Sequence, residues 1–176
     1  MILSVEAEQK AMEMSKICEL QDVEENFSSN SARALATAKY IAFENKTQVN
    51  VVDEFNERAF GITYIKDLPN KFIENQFKEE KYKLNEGESL FEVNKRSFPV
   101  LKSIIEKNNK KTAIILHGVI LMNLLKNFCD VEFSDNKFKI THNGNLIFDE
   151  ILNKPPEIFE LNFEKMNLIS IKKITV

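Results

Sequence analysis

Short apolar segments and amphipathic segments alternate along the chain, and this alternation limits its fold more than any other feature. Residues 112–116, Thr-Ala-Ile-Ile-Leu, form a continuous apolar run of the length expected for a strand covered on both faces. Residues 26–27 and 48–52 are shorter strand candidates, and residues 33–43 between them carry apolar side chains at helical spacing. Because a strand covered on both faces needs helices on each side, the alternation predicts an α/β domain.

The rest of the chain adds helices and a strand-rich end. Ser4 is a suitable N-cap for a helix over residues 4–18, whose core-facing stripe would be Ala7, Ala11, Met14 and Cys18. Helical spacing also covers residues 88–106 and 118–128, and strand patterns follow over 131–140, 146–152, 157–163 and 168–174. The sequence therefore predicts a three-layer α/β/α sandwich with a mixed, mostly parallel central sheet.

Length and composition indicate one domain over residues 1–176. Residues 64–86 are rich in Lys, Glu and Asn and have little periodicity, which predicts a surface insertion near the functional site.

The balance of charged and rare residues excludes several classes of protein. The formal net charge is −3 and no basic face emerges, so we expect no nucleic-acid partner. The two cysteines, Cys18 and Cys129, lack the spacing of a metal site, and we expect two buried thiols, no bound metal and a cytoplasmic location. No apolar run approaches the roughly 20 residues of a membrane span, so no membrane partner is expected.

Three short blocks combine residue types that could bind an anion. Residues 28–33, Ser-Ser-Asn-Ser-Ala-Arg, place hydroxyls and the guanidinium of Arg33 where a strand gives way to a helix. Glu57 and Arg58 follow another strand, and read alone they form an ordinary surface ion pair. His117 and Gly118 follow the buried strand directly, at the carboxyl end where ligands of open α/β sheets bind. His142, in the turn over 142–145, is expected to be a surface residue.

Taken together, these blocks resemble the histidine phosphatase superfamily, the phosphoglycerate mutase-like family. Residues 28–38 resemble its Ser-Ser-x-x-x-Arg-Ala-x-x-Thr-Ala block, and residues 57–61 its acid-bearing Glu-Arg-x-x-Gly segment. Gly87-Glu88-Ser89 resembles its Gly-Glu-Ser helix start, and His117-Gly118 its second catalytic histidine. Residues 3–11 resemble its Leu-Thr-x-x-Gly-x-x-Gln-Ala helix, with Ala7 in place of the usual glycine.

The resemblance implies a phosphotransfer site for a phosphorylated small molecule or a free phosphate or sulfate ion, without a cofactor. It implies that Arg33 binds phosphate, that His117 donates to a phosphoryl oxygen and that Glu57 is the general acid. Ser28, Ser29 and Arg58 are further candidates for binding the phosphate.

One part of the family pattern is not in this sequence. The nucleophilic histidine of the family lies in an Arg-His-Gly motif that ends the first strand. This chain has two histidines, His117 already fills the second role, and neither histidine follows an arginine. The neighbours of that strand would then need either a rearranged strand order or pairing with a second copy, which would give a homodimer.

Three interpretations of function follow and remain open at this point. The chain could be a phosphate-binding protein of impaired activity, a pseudoenzyme. It could instead be an N-terminally shortened form of an active phosphatase or phosphomutase. The third interpretation is a non-catalytic module for protein interaction.

Overall fold

A computed structural model describes residues 3–107, 110–151 and 156–175. Its helices are α1 (Val5–Met14), α2 (Ala32–Asn45), α3 (Phe72–Lys78), α4 (Leu90–Lys107) and α5 (Gly118–Leu125). Its strands are β1 (Glu25–Ser28), β2 (Val49–Val51), β3 (Thr112–Ile115), β4 (Asp130–Ser134), β5 (Lys137–His142), β6 (Asn145–Glu150), β7 (Ile158–Glu164) and β8 (Asn167–Ile174).

The first three strands form a parallel sheet in the order β2-β1-β3. The register pairs Ser28 at the end of β1 with Val51 of β2 and with Ile115 of β3. The carboxyl ends of all three strands therefore lie side by side at one edge of the sheet.

Helices cover both faces of this sheet. Ala113 and Ile115 of β3 pack with Met14 of α1 and Ile41 of α2, whereas Leu116 packs with α4 and α5. Since alternate residues of a strand point to opposite faces, the two helix pairs form two layers around the sheet. The predicted α/β class, with a parallel sheet between helices, is confirmed.

The strand-rich end of the chain builds separate antiparallel sheets, one of order β4-β5-β6 and one pairing β7 with β8. Its core consists of Phe138, Ile140, Phe148 and Ile171, and side chains of α5 complete it. Helix α5 lies between two cores: Met122 and Leu125 join the core of the tail, and Ile120 and Leu124 pack against Val93 of α4.

Two local expectations were wrong. The predicted strand over 131–140 is a hairpin, because Asp135 and Asn136 take positive φ values of 50° and 60° and form a tight turn between β4 and β5. Cys18 is exposed rather than buried, since α1 ends at Met14 and the chain then leaves the helical stripe. Leu152, the last residue of the predicted strand over 146–152, lies outside the described residues.

Other expectations were met only in part or remain untested. Cys129 is half-buried, and burial raises the pKa of its thiol to about 11. Segment 64–86 contains α3, in which Phe72 and Gln76 are buried and most other residues are partly or fully exposed. The single domain and the cytoplasmic location stay predictions. In the part of the chain that the structure describes, no helix is both long enough and apolar enough to span a bilayer.

The outer edge of β3 has no strand beside it among the described residues, where β3 pairs with β1 alone. The carbonyl groups of Lys111 and Ile115 accept hydrogen bonds from the β1 side. Because the hydrogen-bonding direction alternates along a strand, the backbone groups of Thr112 and Ile114 point to the open edge.

Candidate functional site

The site is built where β1 and β3 end. The backbone N–H of Ser29 donates to the carbonyl of Ile115 over 3.1 Å, which brings the loop after β1 against the loop after β3. His117 is two residues further along and is 5% exposed. The strand register therefore places Ser29 and His117 next to each other, although 88 residues separate them in sequence.

Both ring nitrogens of His117 have partners. The guanidinium Nη2 of Arg33 is 2.7 Å from Nδ1, and the hydroxyl of Ser29 is 2.9 Å from Nε2. A guanidinium can only donate, so Nδ1 must carry a lone pair and the ring proton must lie on Nε2. His117 is therefore the neutral Nε2–H tautomer, which donates to Ser29 and accepts from Arg33.

Two helices start beside this imidazole. Ser31 is the N-cap of α2, with its hydroxyl accepting from the N–H of Ala34, and this hydroxyl is also 3.4 Å from His117 Nε2. His117 is the residue before the first turn of α5. Helix N-termini carry partial positive charge, so this edge of the sheet favours an anion.

Glu57 is held by its own neighbour in the sequence. Its carboxylate Oε1 accepts from the backbone N–H of Arg58 over 3.1 Å and from the Arg58 guanidinium Nη1 over 3.0 Å. The Arg58 side chain is 1% exposed, and its Nε donates to Gln76 over 2.9 Å. Gln76 in turn donates to the carbonyls of Tyr82 and Glu88, which fixes Arg58 between α3 and the start of α4.

Arg96 of α4 binds the loop that contains Glu57. Its guanidinium makes a two-pronged ion pair with Glu88, with distances of 2.7 and 2.8 Å. The same group donates to the carbonyls of Glu54 and Asn56. The Asn56 side chain then accepts from the backbone N–H of Asn30 over 2.7 Å, so one chain of contacts joins α4 to the loop after β1.

The charged groups around His117 shift the pKa of its imidazole in opposite directions. Burial lowers the pKa of the imidazole below its ordinary value; the carboxylate of Glu57 opposes this, and the positive charges of Arg33 and Arg96 add to it. The neutral tautomer required by the hydrogen bonds agrees with this balance.

The structure brings Arg33, Ser29 and His117 into direct contact, and the negative charge of Glu57 opposes the lowering of the imidazole pKa. Two other predicted residues are turned elsewhere: the hydroxyl of Ser28 donates to the carbonyl of Ser29, and Arg58 is buried with its Nε and Nη1 hydrogen-bonded to Gln76 and Glu57. The side chain of Arg58 is closed off from solvent and holds the carboxylate of Glu57, and phosphate binding by Arg58 stays a prediction.

His142 makes no hydrogen bond to this group among the described residues. It ends β5 and lines a polar cavity of about 360 Å³, to which none of the residues of the site contributes. Within the described residues no cluster of His, Cys, Asp and Glu could hold a metal ion.

Four residues of the site were not predicted: Ser31, Asn56, Gln76 and Arg96. Arg96 is one of three arginines and lies on the helix that begins at Gly87-Glu88-Ser89, and this scarcity is the sequence signal that points to it, although the sequence assigns it no role. Gln76 carried no signal, because its partner is 18 residues away and lies in a segment without periodicity.

Comparison with known proteins identifies the class of this α/β site. The family model of the histidine phosphatase superfamily (branch 1) matches residues 2–163. The chain belongs to the histidine phosphatase superfamily. No curated protein sequence matches it.

Solved structures share the fold at low sequence identity. The native mycobacterial glucosyl-3-phosphoglycerate phosphatase superposes with a TM-score of 0.63 at 18% identity, over 72% of this chain and 66% of that one. The chain thus spans just under two thirds of that phosphatase. A structure of the same mycobacterial protein with inorganic phosphate gives 0.60 at 17% identity, over 78% of each chain. Bacillus stearothermophilus YhfR gives 0.58 at 20% identity, over 81% of this chain and 84% of that one.

Proposed function

We propose that this chain binds the phosphate group of a phosphomonoester, or a free phosphate ion, at Arg33 and His117. The observation that carries the proposal is the convergence of Arg33 and Ser29 on His117 at the carboxyl edge of a parallel sheet. A guanidinium, an imidazole and hydroxyls beside two helix N-termini are the groups that stabilise the charge of phosphoryl oxygens. The mycobacterial relative that shares the fold has been crystallised with inorganic phosphate and with VO3, which supports the same class of ligand.

Glu57 is the proposed general acid, because Arg58 fixes its carboxyl group and its charge acts on the imidazole of His117. In that role it would give its proton to the leaving oxygen while a solvent water attacks phosphorus and the bond to that oxygen breaks, which leaves an alcohol and inorganic phosphate. Arg58, held by Gln76, is a positioning residue for this carboxylate.

We further propose that the chain on its own turns over phosphomonoesters poorly. A phosphohistidine intermediate needs a ring nitrogen that can attack phosphorus, and Arg33 and Ser29 occupy both nitrogens of His117. The other histidine, His142, lies outside the site. These residues therefore supply no nucleophile for a covalent intermediate. They can bind and polarise the phosphoryl group and protonate the leaving oxygen, which leaves only slow attack by water.

Calorimetric titration with inorganic phosphate tests the binding proposal. Arg33→Ala should weaken binding by about 10-fold or more, because a hydrogen bond to a charged group contributes roughly 1.5–3 kcal/mol. Lys39→Ala is the matched control: it removes the same charge from the same helix, but Lys39 pairs with Glu8 at an exposed position. Phosphate binding that is equal in both variants, or absent from the wild type, would contradict the proposal and favour a module for protein interaction.

Turnover of an aryl phosphate at mildly acidic and neutral pH tests the proposed impairment. The expected result is turnover at the level of the buffer, with phosphate binding intact. Robust turnover that disappears in His117→Ala would show instead that the chain is an active phosphatase.

The open edge of β3 supports a second proposal, that two copies of the chain pair there as a homodimer. Unpaired backbone groups on an apolar strand are a template for another strand. Ile114→Pro removes an N–H that points outward and leaves the pairing with β1, so it should convert the dimer to a folded monomer in sedimentation velocity. A wild-type chain that is monomeric at every concentration would contradict this proposal.

A further inference from the structure

The contact between Arg33 and His117 cannot persist if the imidazole gains a second proton. The guanidinium Nη2 and the imidazole Nδ1 are 2.7 Å apart, and both atoms would then be donors with positive charge. His117 is only 5% exposed, so solvent would screen this repulsion poorly. The contact therefore selects the neutral imidazole as long as the site holds no anion.

A bound dianion reverses this preference. It offers acceptor oxygens to Nη2 of Arg33 and to a protonated Nδ1 of His117, and its two negative charges compensate the added proton. Ser29 accepts from Nε2–H in either state, so the ring keeps its orientation while Nδ1 changes from acceptor to donor.

We propose that anion binding at this site is coupled to the uptake of one proton by Nδ1 of His117, with Ser29 as the residue that holds the ring for this exchange. The inference rests on the proposed phosphate site and adds its regulation: the site binds more tightly as the pH falls. One covalent bond forms, the Nδ1–H bond, with a proton taken from solvent; every other change is an exchange of hydrogen bonds.

The charged groups around the imidazole come from three elements besides its own. Arg33 on α2 and Arg96 on α4 disfavour the imidazolium, and Glu57 on the loop after β2 favours it. Arg96 is neutralised by Glu88, and Glu57 is bound by Arg58. Arg96 and Glu57 are each paired with an opposite charge, whereas Arg33 has no carboxylate partner among the described residues, so Arg33 is the charge whose position the anion can change.

The linkage between proton uptake and anion binding determines how the affinity for the anion changes with pH. The anion complex binds more protons than the free site, so affinity falls as the pH rises between the free-state and the complex pKa of His117. Burial lowers the free-state pKa below its ordinary value, so the lower end of this window lies below that ordinary value. Within it the affinity should fall about tenfold for each pH unit.

Sulfate is the probe for the experiment, because it stays a dianion over the whole pH range and does not titrate as phosphate does. Titration calorimetry of the wild-type chain from pH 5 to pH 8, in buffers of different ionisation enthalpy, counts the protons taken up. The expected result is close to one proton per sulfate inside the window. In ¹⁵N NMR spectra His117 should be the Nε2–H tautomer without sulfate and an imidazolium with it.

Two substitutions with matched controls assign the proton. His117→Gln keeps a donor but cannot be protonated, so its sulfate affinity should become independent of pH, whereas His142→Gln should keep the wild-type profile. Ser29→Ala should move the window to lower pH because the imidazolium loses its acceptor, and Ser29→Thr should restore it. A Ser29→Ala profile that matches the wild type would overturn the role of Ser29.

The outcomes separate this inference from the proposal on which it rests. Sulfate binding without proton uptake in the wild type would overturn the coupling and leave the phosphate site intact. Absence of sulfate binding at every pH would overturn both. The wild-type proton count decides the question even if a variant fails to fold.

Discussion

The sheet edge that carries the site and the antiparallel tail are stabilised by different means. In the described residues, every buried polar or charged side chain lies at or before Asn123: Ser15, Asn26, Ser28, Ser29, Arg58, Gln76, Ser89, Ser97, His117 and Asn123. The buried side chains of the tail are apolar, among them Phe138, Ile140, Phe148 and Ile171.

The difference shows where the fold tolerates costly interactions. Buried polar groups need partners with correct geometry, and a missing partner costs more than the hydrogen bond contributes. Buried polar groups in the first part of the chain fit the anion site that we propose there, because an anion needs donors and charge. The described part of the tail contains no buried polar side chain, and the burial of aliphatic and aromatic side chains stabilises it.

The largest effect on stability is expected in the tail. Ile140→Ala removes a fully buried side chain from β5 and should lower the free energy of unfolding by about 2–5 kcal/mol, measured by urea denaturation. Ile169→Ala, the same change at a position that is 55% exposed, should alter it by no more than about 0.5 kcal/mol. Equal losses would mean that the tail has no packed core.

The next largest loss of stability is expected when Gln76, the buried polar residue that holds Arg58, is replaced by an apolar one. Gln76→Leu leaves the Nε–H of Arg58 and the carbonyls of Tyr82 and Glu88 without their partner, which should cost about 1–3 kcal/mol in the same assay. Gln9→Leu, on the exposed face of α1, is the control and should be nearly neutral. If Gln76→Leu is neutral, the buried network does not hold the site in place.

Substitution of the two serine N-caps distinguishes an effect on stability from an effect on phosphate binding. Ser31 caps α2 and Ser4 caps α1, so replacing either with alanine should cost roughly 1 kcal/mol of stability. Only Ser31→Ala should also weaken phosphate binding, because only its hydroxyl lies beside His117. Calorimetric titration of both variants checks this, and equal phosphate affinity in the two would remove Ser31 from the site.

The smallest expected effect is on the stability of the fold at low pH. Ser89 and Glu92 form a reciprocal cap at the start of α4, and this cap together with Lys83 lowers the pKa of Glu92 to about 2. Since the pKa falls on folding, the contribution to stability is present above the ordinary pKa of about 4.5 and is lost as the pH falls towards 2. Glu92→Gln should therefore flatten the acid limb of the stability profile. An unchanged limb would show that the cap does not form.

The sequence predicted best what depends on local pattern and on the order of strands and helices. The apolar run at 112–116 and the blocks around Arg33 and His117 predicted that each residue follows the end of a strand, and the resemblance to the family implied that both bind one phosphate. Residues whose partners lie in unpatterned segments could not be assigned, and Gln76 beneath Arg58 is the main case.

Local errors have equally particular reasons. The turn at residues 142–145 contains Gly144, and the sequence pattern predicts it. Asp135 and Asn136 make a comparable turn without glycine, so the pattern predicts a continuous strand there. Arg58 looked like half of a surface ion pair, since nothing in the sequence near it shows that α3 covers it.

The packing of helix α5 limits local unfolding at the position of His117. His117 immediately precedes a helix that packs into one core on one side and into the core of the tail on the other. Backbone amides of such a helix should exchange with deuterium only when the whole molecule unfolds. An anion that binds at His117 as proposed should therefore slow exchange throughout α5 and raise the melting temperature of the tail. The thermal loss of the native methyl signals of Ile140 should then shift to higher temperature.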